Sequence, residues 1–163
     1  MIVRDLDQSD LSQVTSFYKT MLDADTEGFI DEFSGRDFDQ FFLGDHYSVG
    51  AFDGTTMMGI LVATQFDKKN LPLFPSPPSC LDAEQDYIHG RTIVVDPQRR
   101  HKNTGHLMCA ALCKKALSSG KGIVVEVVAT NHAAQRLYYS YGAKPLQENN
   151  GHILVVKPPL TST

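Results

Sequence analysis

Arg99-Arg100-His101-Lys102-Asn103-Thr104-Gly105-His106 sets basic and potentially basic side chains against a glycine-bearing turn, and a helical pattern begins directly after it. A helix start exposes backbone N–H groups without carbonyl partners, together with the positive end of the helix dipole. Such a turn is a cradle for an anion, and the neighbouring cations suit a pyrophosphate. The same residues equally suit an ordinary solvated basic cluster in which Gly105 only relieves a tight turn. Neither G-K-[ST] nor G-x-G-x-x-G is present, so a P-loop and a Rossmann fingerprint are both unsupported. His106, Cys109 and Cys113 raise a second chemistry, because their i, i+3, i+7 spacing brings three metal-capable side chains towards one helix face. At about 100° per residue, however, the cysteines point into the arc shared by Met108, Leu112, Ala116 and Leu117, opposite Lys114, Lys115 and Ser118. That is a core face, where Cys behaves as a small hydrophobe. No fourth ligand is evident, so neither a metal nor a cysteine nucleophile is expected.

The elements that must hold this turn follow from periodicity. MIVRD (1–5) reads as a strand, and Ser9-Asp10 offers an N-cap for a helix to about Leu22 with Leu11, Val14, Phe17, Tyr18 and Met21 on one face. A further helix is predicted near Arg36 to Leu43. HYSVGAF (46–52) and MMGILVATQF (57–66) flank Asp53-Gly54, a hairpin signal. Leu71 to Cys80 carries four prolines and reads as a long loop that could lid a pocket through Leu73 and Phe74. YIHGRTIVV (87–95) and GIVVEVVA (122–129) are strands on either side of the helix that begins at the turn. Asn131 can cap a last helix through about Tyr141 with Gly142 as its C′ residue, and AKPLQ and HILVVK flank the hairpin signal Asn150-Gly151. This order implies an α/β fold, a mixed sheet covered by helices on both faces, in one domain spanning 1–163.

Composition bounds the class. The chain has 163 residues, 42% hydrophobic, with a formal net charge of −4 and no Trp, which lacks the basic surplus of a nucleic-acid binder. Three cysteines without framework spacing argue for a reducing compartment, and no stretch approaches the ~20 apolar residues of a membrane span. A soluble, cytoplasmic protein with neither nucleic-acid nor membrane partner is expected.

Val95-Asp96-Pro97-Gln98-Arg99-Arg100-His101-Lys102-Asn103-Thr104-Gly105-His106-Leu107-Met108 resembles the acyl-CoA-binding signature of the GCN5-related N-acetyltransferase (GNAT) family, an Arg or Gln followed by x-x-Gly-x-Gly. Asn103 stands where the first glycine is usual. Asn is the non-glycine residue that best tolerates left-handed geometry, although its side chain then stands beside the phosphate. A second block is similar to the same family: Asn131, Ala134, Leu137, Tyr138 and Gly142 fall on matching positions, with Ala143 in place of the common Phe. The two blocks cover roughly 87–143. The resemblance implies a single-domain GNAT-like fold with a mixed, mostly antiparallel sheet of six to seven strands.

The resemblance also implies acetyl transfer from acetyl-CoA to a primary amine of a small molecule or peptide by direct attack, without a metal. The backbone of Val94 and Val95 would pair with the pantetheine arm. Arg100, His101, Lys102, Asn103, Thr104, Gly105 and His106 would surround the pyrophosphate, and Asn131, also a helix cap, would meet the arm from the other side. Tyr138 holds the position of a general acid for the leaving thiolate; an aromatic at helical spacing is equally at home in a core. His89, eleven residues before Arg100, stands where other members carry a glutamate base, and its ordinary pKa of ~6.5 suits that work. Glu126, Glu84, Asp86 and a water chain are alternatives. The stretch from Asp23 to Asp39, with seven acids and only Arg36 as a base, either attracts a cationic acceptor or is a solvated loop. A catalytically silent acyl-CoA-binding module is the alternative to an enzyme. A homodimer through the strand Ile153 to Val156 is a further expectation.

Overall fold

Asp10 takes the N-cap position of the first α-helix, as expected, without a side-chain cap hydrogen bond, and Asp7 caps the 3-10 turn that leads into it. The Asp7 carboxylate accepts from Ser9 N at 2.8 Å, and the Asp7 N–H donates to Asp10 Oδ2 at 3.0 Å, a reciprocal box over the 3-10 turn Gln8–Asp10. Asp10 is therefore an inward anchor, held by Arg4 at 2.7 and 2.8 Å. The computed structural model describes residues 1–30, 47–66, 81 and 85–159, without the side chains of residues 100–102. The helix expected near Arg36 to Leu43 and the proline-rich loop from Leu71 to Cys80 lie outside the described residues.

The strands are β1 (Ile2–Asp5), β2 (Val49–Asp53), β3 (Thr56–Gln65), β4 (Tyr87–Val95), β5 (Gly122–Val128), β6 (Lys144–Asn149) and β7 (His152–Lys157). The α-helices are α1 (Leu11–Asp23), α2 (Thr104–Ser118) and α3 (His132–Ser140), and a 3-10 turn, Pro97–Lys102, precedes α2. One seven-stranded sheet has the order β1-β2-β3-β4-β5-β7-β6, in which only β4 and β5 are parallel. The expected mixed, mostly antiparallel sheet is what forms, with α1 on one face and α2 and α3 on the other.

β3 is buried from Met57 to Ala63, because successive side chains meet α1 and α2 in turn. Ile60 and Val62 pack with Val14 and Tyr18 of α1, while Leu61 and Met58 pack with Met108, Cys109 and Leu112 of α2. Burying such side chains contributes roughly 1.5–3 kcal/mol each, which makes the middle of the sheet the anchor for everything that follows. Gly59 sets how closely α2 lies on it. A Cβ there would sit 2.9 Å from the Val94 carbonyl and 3.0 Å from Met108 Cε.

Two expectations about exposure are corrected. Leu117, assigned to the core arc of α2, is 57% exposed; the buried face is Thr104, Met108, Cys109, Leu112 and Ala116. The strand Ile153 to Val156 has no edge to offer a second chain, since β7 lies between β5 and β6 and is paired on both sides. The edge on that side of the sheet is β6, which carries Pro145 and a bulge at Leu146. The closing hairpin forms as expected, with Asn150 and Gly151 both at positive φ (48° and 75°) as a type I′ turn requires. No helix among the described residues is long and apolar enough to cross a membrane.

Candidate active site

The parallel pair β4 and β5 opens into a fork. The two strands are paired only from Tyr87↔Gly122 to Gly90↔Val125. Beyond that point β4 continues with β3 as far as Val95↔Gly59, and β5 continues with β7 as far as Val128↔His152. A bulge lies at the parting. Val62 pairs with Thr92 and Ala63 with Gly90, which leaves Arg91 as an extra residue in β4, and such an insertion bends a strand and increases its twist. From Thr92 to Val95, the edge of β4 that would face β5 has no strand beside it among the described residues. It presents backbone groups to which an extended ligand can add as a further strand.

At the wide end of the fork β4 runs into the basic turn. Asp96 accepts from Gln98 N at 2.9 Å and starts the 3-10 turn that contains Arg100, His101 and Lys102 in its backbone. Asn103 follows with φ 58° and ψ 17°, the left-handed geometry anticipated for it. Leu107 N takes the Asn103 carbonyl at 3.0 Å, so the N–H groups of Thr104, Gly105 and His106 precede the first intrahelical bond and lie at the positive end of α2. Thr104 is fully buried and its hydroxyl donates to Met1 Sδ at 3.4 Å, whereas Asn103 and His106 are exposed. A Cβ on Gly105 would come 3.4 Å from Leu137 Cδ2, so this position is the contact between the start of α2 and α3.

At the narrow end lies a cleft of about 490 Å³, open mouth included, whose walls include Gly90, Ile93, Val125, Cys109, Tyr138 and Tyr141. Burial pushes the Tyr138 hydroxyl well above its ordinary value, with Cys109 beside it adding in the same direction. The phenol stays protonated near neutral pH and is a hydrogen-bond donor. Tyr141 lines the same cleft. It sits three residues after Tyr138 and therefore on a neighbouring part of the same face, and its hydroxyl donates to the His106 carbonyl at 2.7 Å, tying α3 to the start of α2. Asn131 caps α3, its Oδ1 accepting from Ala134 N at 3.1 Å.

His89 lies apart from this cleft. Ile88 and Gly90 face α2, and strand alternation turns His89 to the other side of the sheet. There the ring is edge-on to Phe66 at 5.9 Å, and it is 4% exposed. Arg91 Nη1 lies 3.3 Å from Nδ1. A guanidinium only donates, so Nδ1 accepts and the proton sits on Nε2, which points to Glu126 Oε1 at 3.7 Å. Burial lowers the His89 pKa to about 3, and the Arg91 charge acts in the same direction. The imidazole is neutral at ordinary pH. Tyr138 and His89 thus occupy the two faces of one strand pair, joined only through the fork.

A sequence profile of the acetyltransferase (GNAT) family matches residues 14–143. No curated protein sequence matches the chain. Among solved structures, Arabidopsis thaliana NAA60 in complex with a bisubstrate analogue is similar over 99% of each chain, with a TM-score of 0.74 and 18% identity. The ribosomal-protein-S18-alanine N-acetyltransferase from Escherichia coli is similar over 99% of this chain and 96% of its own, with a TM-score of 0.73 and 17% identity. The PaiA N-acetyltransferase from Thermoplasma acidophilum in complex with coenzyme A covers 96% of this chain and 98% of its own, with a TM-score of 0.68 and 14% identity. With the profile spanning most of its length and both signature blocks, the chain belongs to the GNAT family of acetyltransferases.

Proposed function

We propose that residues 1–163 form one acetyl-CoA-dependent N-acetyltransferase domain that acylates a primary amine, with the amino terminus of a peptide as the favoured acceptor. The observation that carries this reading is the fork between β4 and β5, with the unpaired start of α2 at its wide end and a protonated tyrosine at its narrow end. Support for the peptide amine comes from the fold neighbours, one solved with a bisubstrate analogue and one named for the alanine of a ribosomal protein.

Acetyl-CoA supplies an activated acyl carbon and a thiolate leaving group. The backbone of Val94 and Val95 pairs with the pantetheine arm along the open edge of β4. Backbone groups from Arg100 to Gly105, with His106, face the pyrophosphate. Asn131 keeps its oxygen on the α3 cap and has its amide NH₂ for the arm. Tyr138 donates its proton towards the leaving sulfur, which stabilises the negative charge that develops there.

The base is where the reading departs from the match with other members. Burial disfavours a charged His89 ring, and a proton there would also set a second cation beside Arg91, so its pKa falls to about 3. The ring is a poor proton acceptor at neutral pH. In this proposal Glu126, on the adjacent strand, takes the proton from the incoming amine, directly or through water, and His89 holds its Nε2–H towards that carboxylate.

The test is release of free CoA thiol from acetyl-CoA with a panel of peptides differing at the first residue and a parallel panel of small amines. Turnover with peptides in preference to small amines is the expected result. Tight acetyl-CoA binding without turnover on either panel would overturn the enzymatic reading in favour of a silent binding module.

A further inference from the structure

The cleft does not end where β4 and β5 join. Its walls also include Ile123, at a level where the two strands are still paired (Ile88↔Ile123), together with Leu112 and Cys113 from the middle of α2. The space therefore continues past the apex of the fork at Gly90↔Val125, between α2 and the closed part of the sheet. Gly90 keeps the apex passable, because a Cβ there would stand 3.0 Å from Val125 Cγ2. Tyr138 lines the same cleft as this pair, so a thioester in reach of its hydroxyl would aim its acyl group into the deeper part.

The lining there is largely carbon and sulfur, with Lys157 also among the residues around the cleft. Burial pushes the Cys109 thiol up to about 12 and raises that of Cys113, so both are neutral and neither is a nucleophile at ordinary pH. An apolar wall such as that of Leu112, Cys113 and Ile123 recognises a hydrocarbon chain. An acetyl group ends in one methyl, so a longer aliphatic chain would have more carbon to set against the wall formed by Leu112, Cys113 and Ile123.

We infer that the site takes short unbranched aliphatic acyl groups longer than acetyl, with butyryl-CoA bound more tightly than acetyl-CoA along Leu112, Cys113 and Ile123. The inference rests on the proposed acyl-CoA site and specifies its donor. The chemistry is unchanged by chain length. The nitrogen lone pair of the neutral amine forms the C–N bond at the acyl carbon, and the C–S bond breaks with its electron pair on sulfur. The proton that nitrogen sheds to the base balances the one that sulfur takes, giving an amide and free CoA.

Calorimetric titration of the full chain with acetyl-, propionyl-, butyryl- and succinyl-CoA tests this without an acceptor. Each methylene buried is expected to tighten binding roughly fourfold, through butyryl. Cys113→Phe, which fills the channel, is expected to lower the butyryl-to-acetyl affinity ratio by roughly tenfold, and Cys113→Ala to preserve or raise it. A ratio is read on one protein, so partial loss of folded material does not move it. Acetyl-CoA binding with equal or weaker binding of propionyl- and butyryl-CoA overturns the inference and leaves the proposed function standing. A ratio untouched by Cys113→Phe, or succinyl-CoA binding more tightly than butyryl-CoA, also overturns it. Failure of every donor, acetyl-CoA included, overturns both.

Discussion

Asn103 holds φ 58° where the family's signature carries glycine. The left-handed region costs most other residues roughly 1–2 kcal/mol, so Asn103→Ala is expected to lower stability by about 1 kcal/mol in a denaturant titration. Asn103→Gly is expected to leave stability nearly unchanged and to tighten acetyl-CoA binding by clearing the side chain from beside the phosphate; weaker binding by the glycine variant would show that Asn103 contacts the donor. His89 makes a prediction in pH. Its folded pKa of about 3 lies below its ordinary value of 6.5, so below about pH 6.5 the unfolded chain binds a proton that the folded chain does not. Stability is then flat in this group's contribution above that pH and falls as pH drops towards 3, by about 1.4 kcal/mol per unit at full slope. Asp10, whose pKa is lowered from 3.8 by its hydrogen bonds with Arg4, adds a loss in the same direction only below that value. Urea midpoints between pH 7 and 4 should therefore decline for the parent and flatten for His89→Gln, and parallel curves would contradict the buried neutral ring. Tyr138→Phe is expected to lower kcat by roughly one to three orders of magnitude with the KM for acetyl-CoA nearly unchanged; an unchanged kcat removes Tyr138 from the reaction. At this scale the sequence was legible where type and position sufficed, as at the left-handed Asn103 and the helix cap Asn131. It was blind to Arg91, because one extra residue in a strand has no signature until its partner's register is known.

Elements make the fork. β4 and β5 part because a bulge at Arg91 twists β4 away, and α2 starts where β4 ends because Asp96, Pro97 and the left-handed Asn103 turn the chain through a 3-10 segment. Close approach of α2 to the sheet is set at Gly59, and Gly59→Ala, which would drive a methyl against the Val94 carbonyl and Met108, is expected to cost about 1–3 kcal/mol. Because the push is transmitted to Thr104 at the first turn of α2, 3.3 Å from the same point, acetyl-CoA affinity should fall as well. A loss of stability with unchanged affinity would separate the start of α2 from the donor site. Periodicity identified these elements because burial enforces it. The helix start was legible at Asp10, but the extra 3-10 turn capped by Asp7 and the Arg4 ion pair that holds the Asp10 side chain were not, since the ion pair is a contact across the fold.

The whole molecule is a seven-stranded sheet whose two long-range blocks, residues 95–108 and 131–143, come together across a parallel strand pair. Those blocks were legible in the sequence because each packs its own turn and helix locally. The order of strands was not, since the exchange that puts β7 between β5 and β6 depends on pairing over distance and defeated the expectation of an open C-terminal strand. The exposed edge β6 is blunted by Pro145 and the Leu146 bulge, devices that discourage pairing with another chain. Everything assigned to the site depends on the fork holding an acyl-CoA. The measurement that tests it most directly is a calorimetric titration of the full chain with acetyl-CoA. One site with a Kd in the micromolar range, about −8 kcal/mol, is the predicted result, and no detectable binding would contradict the account.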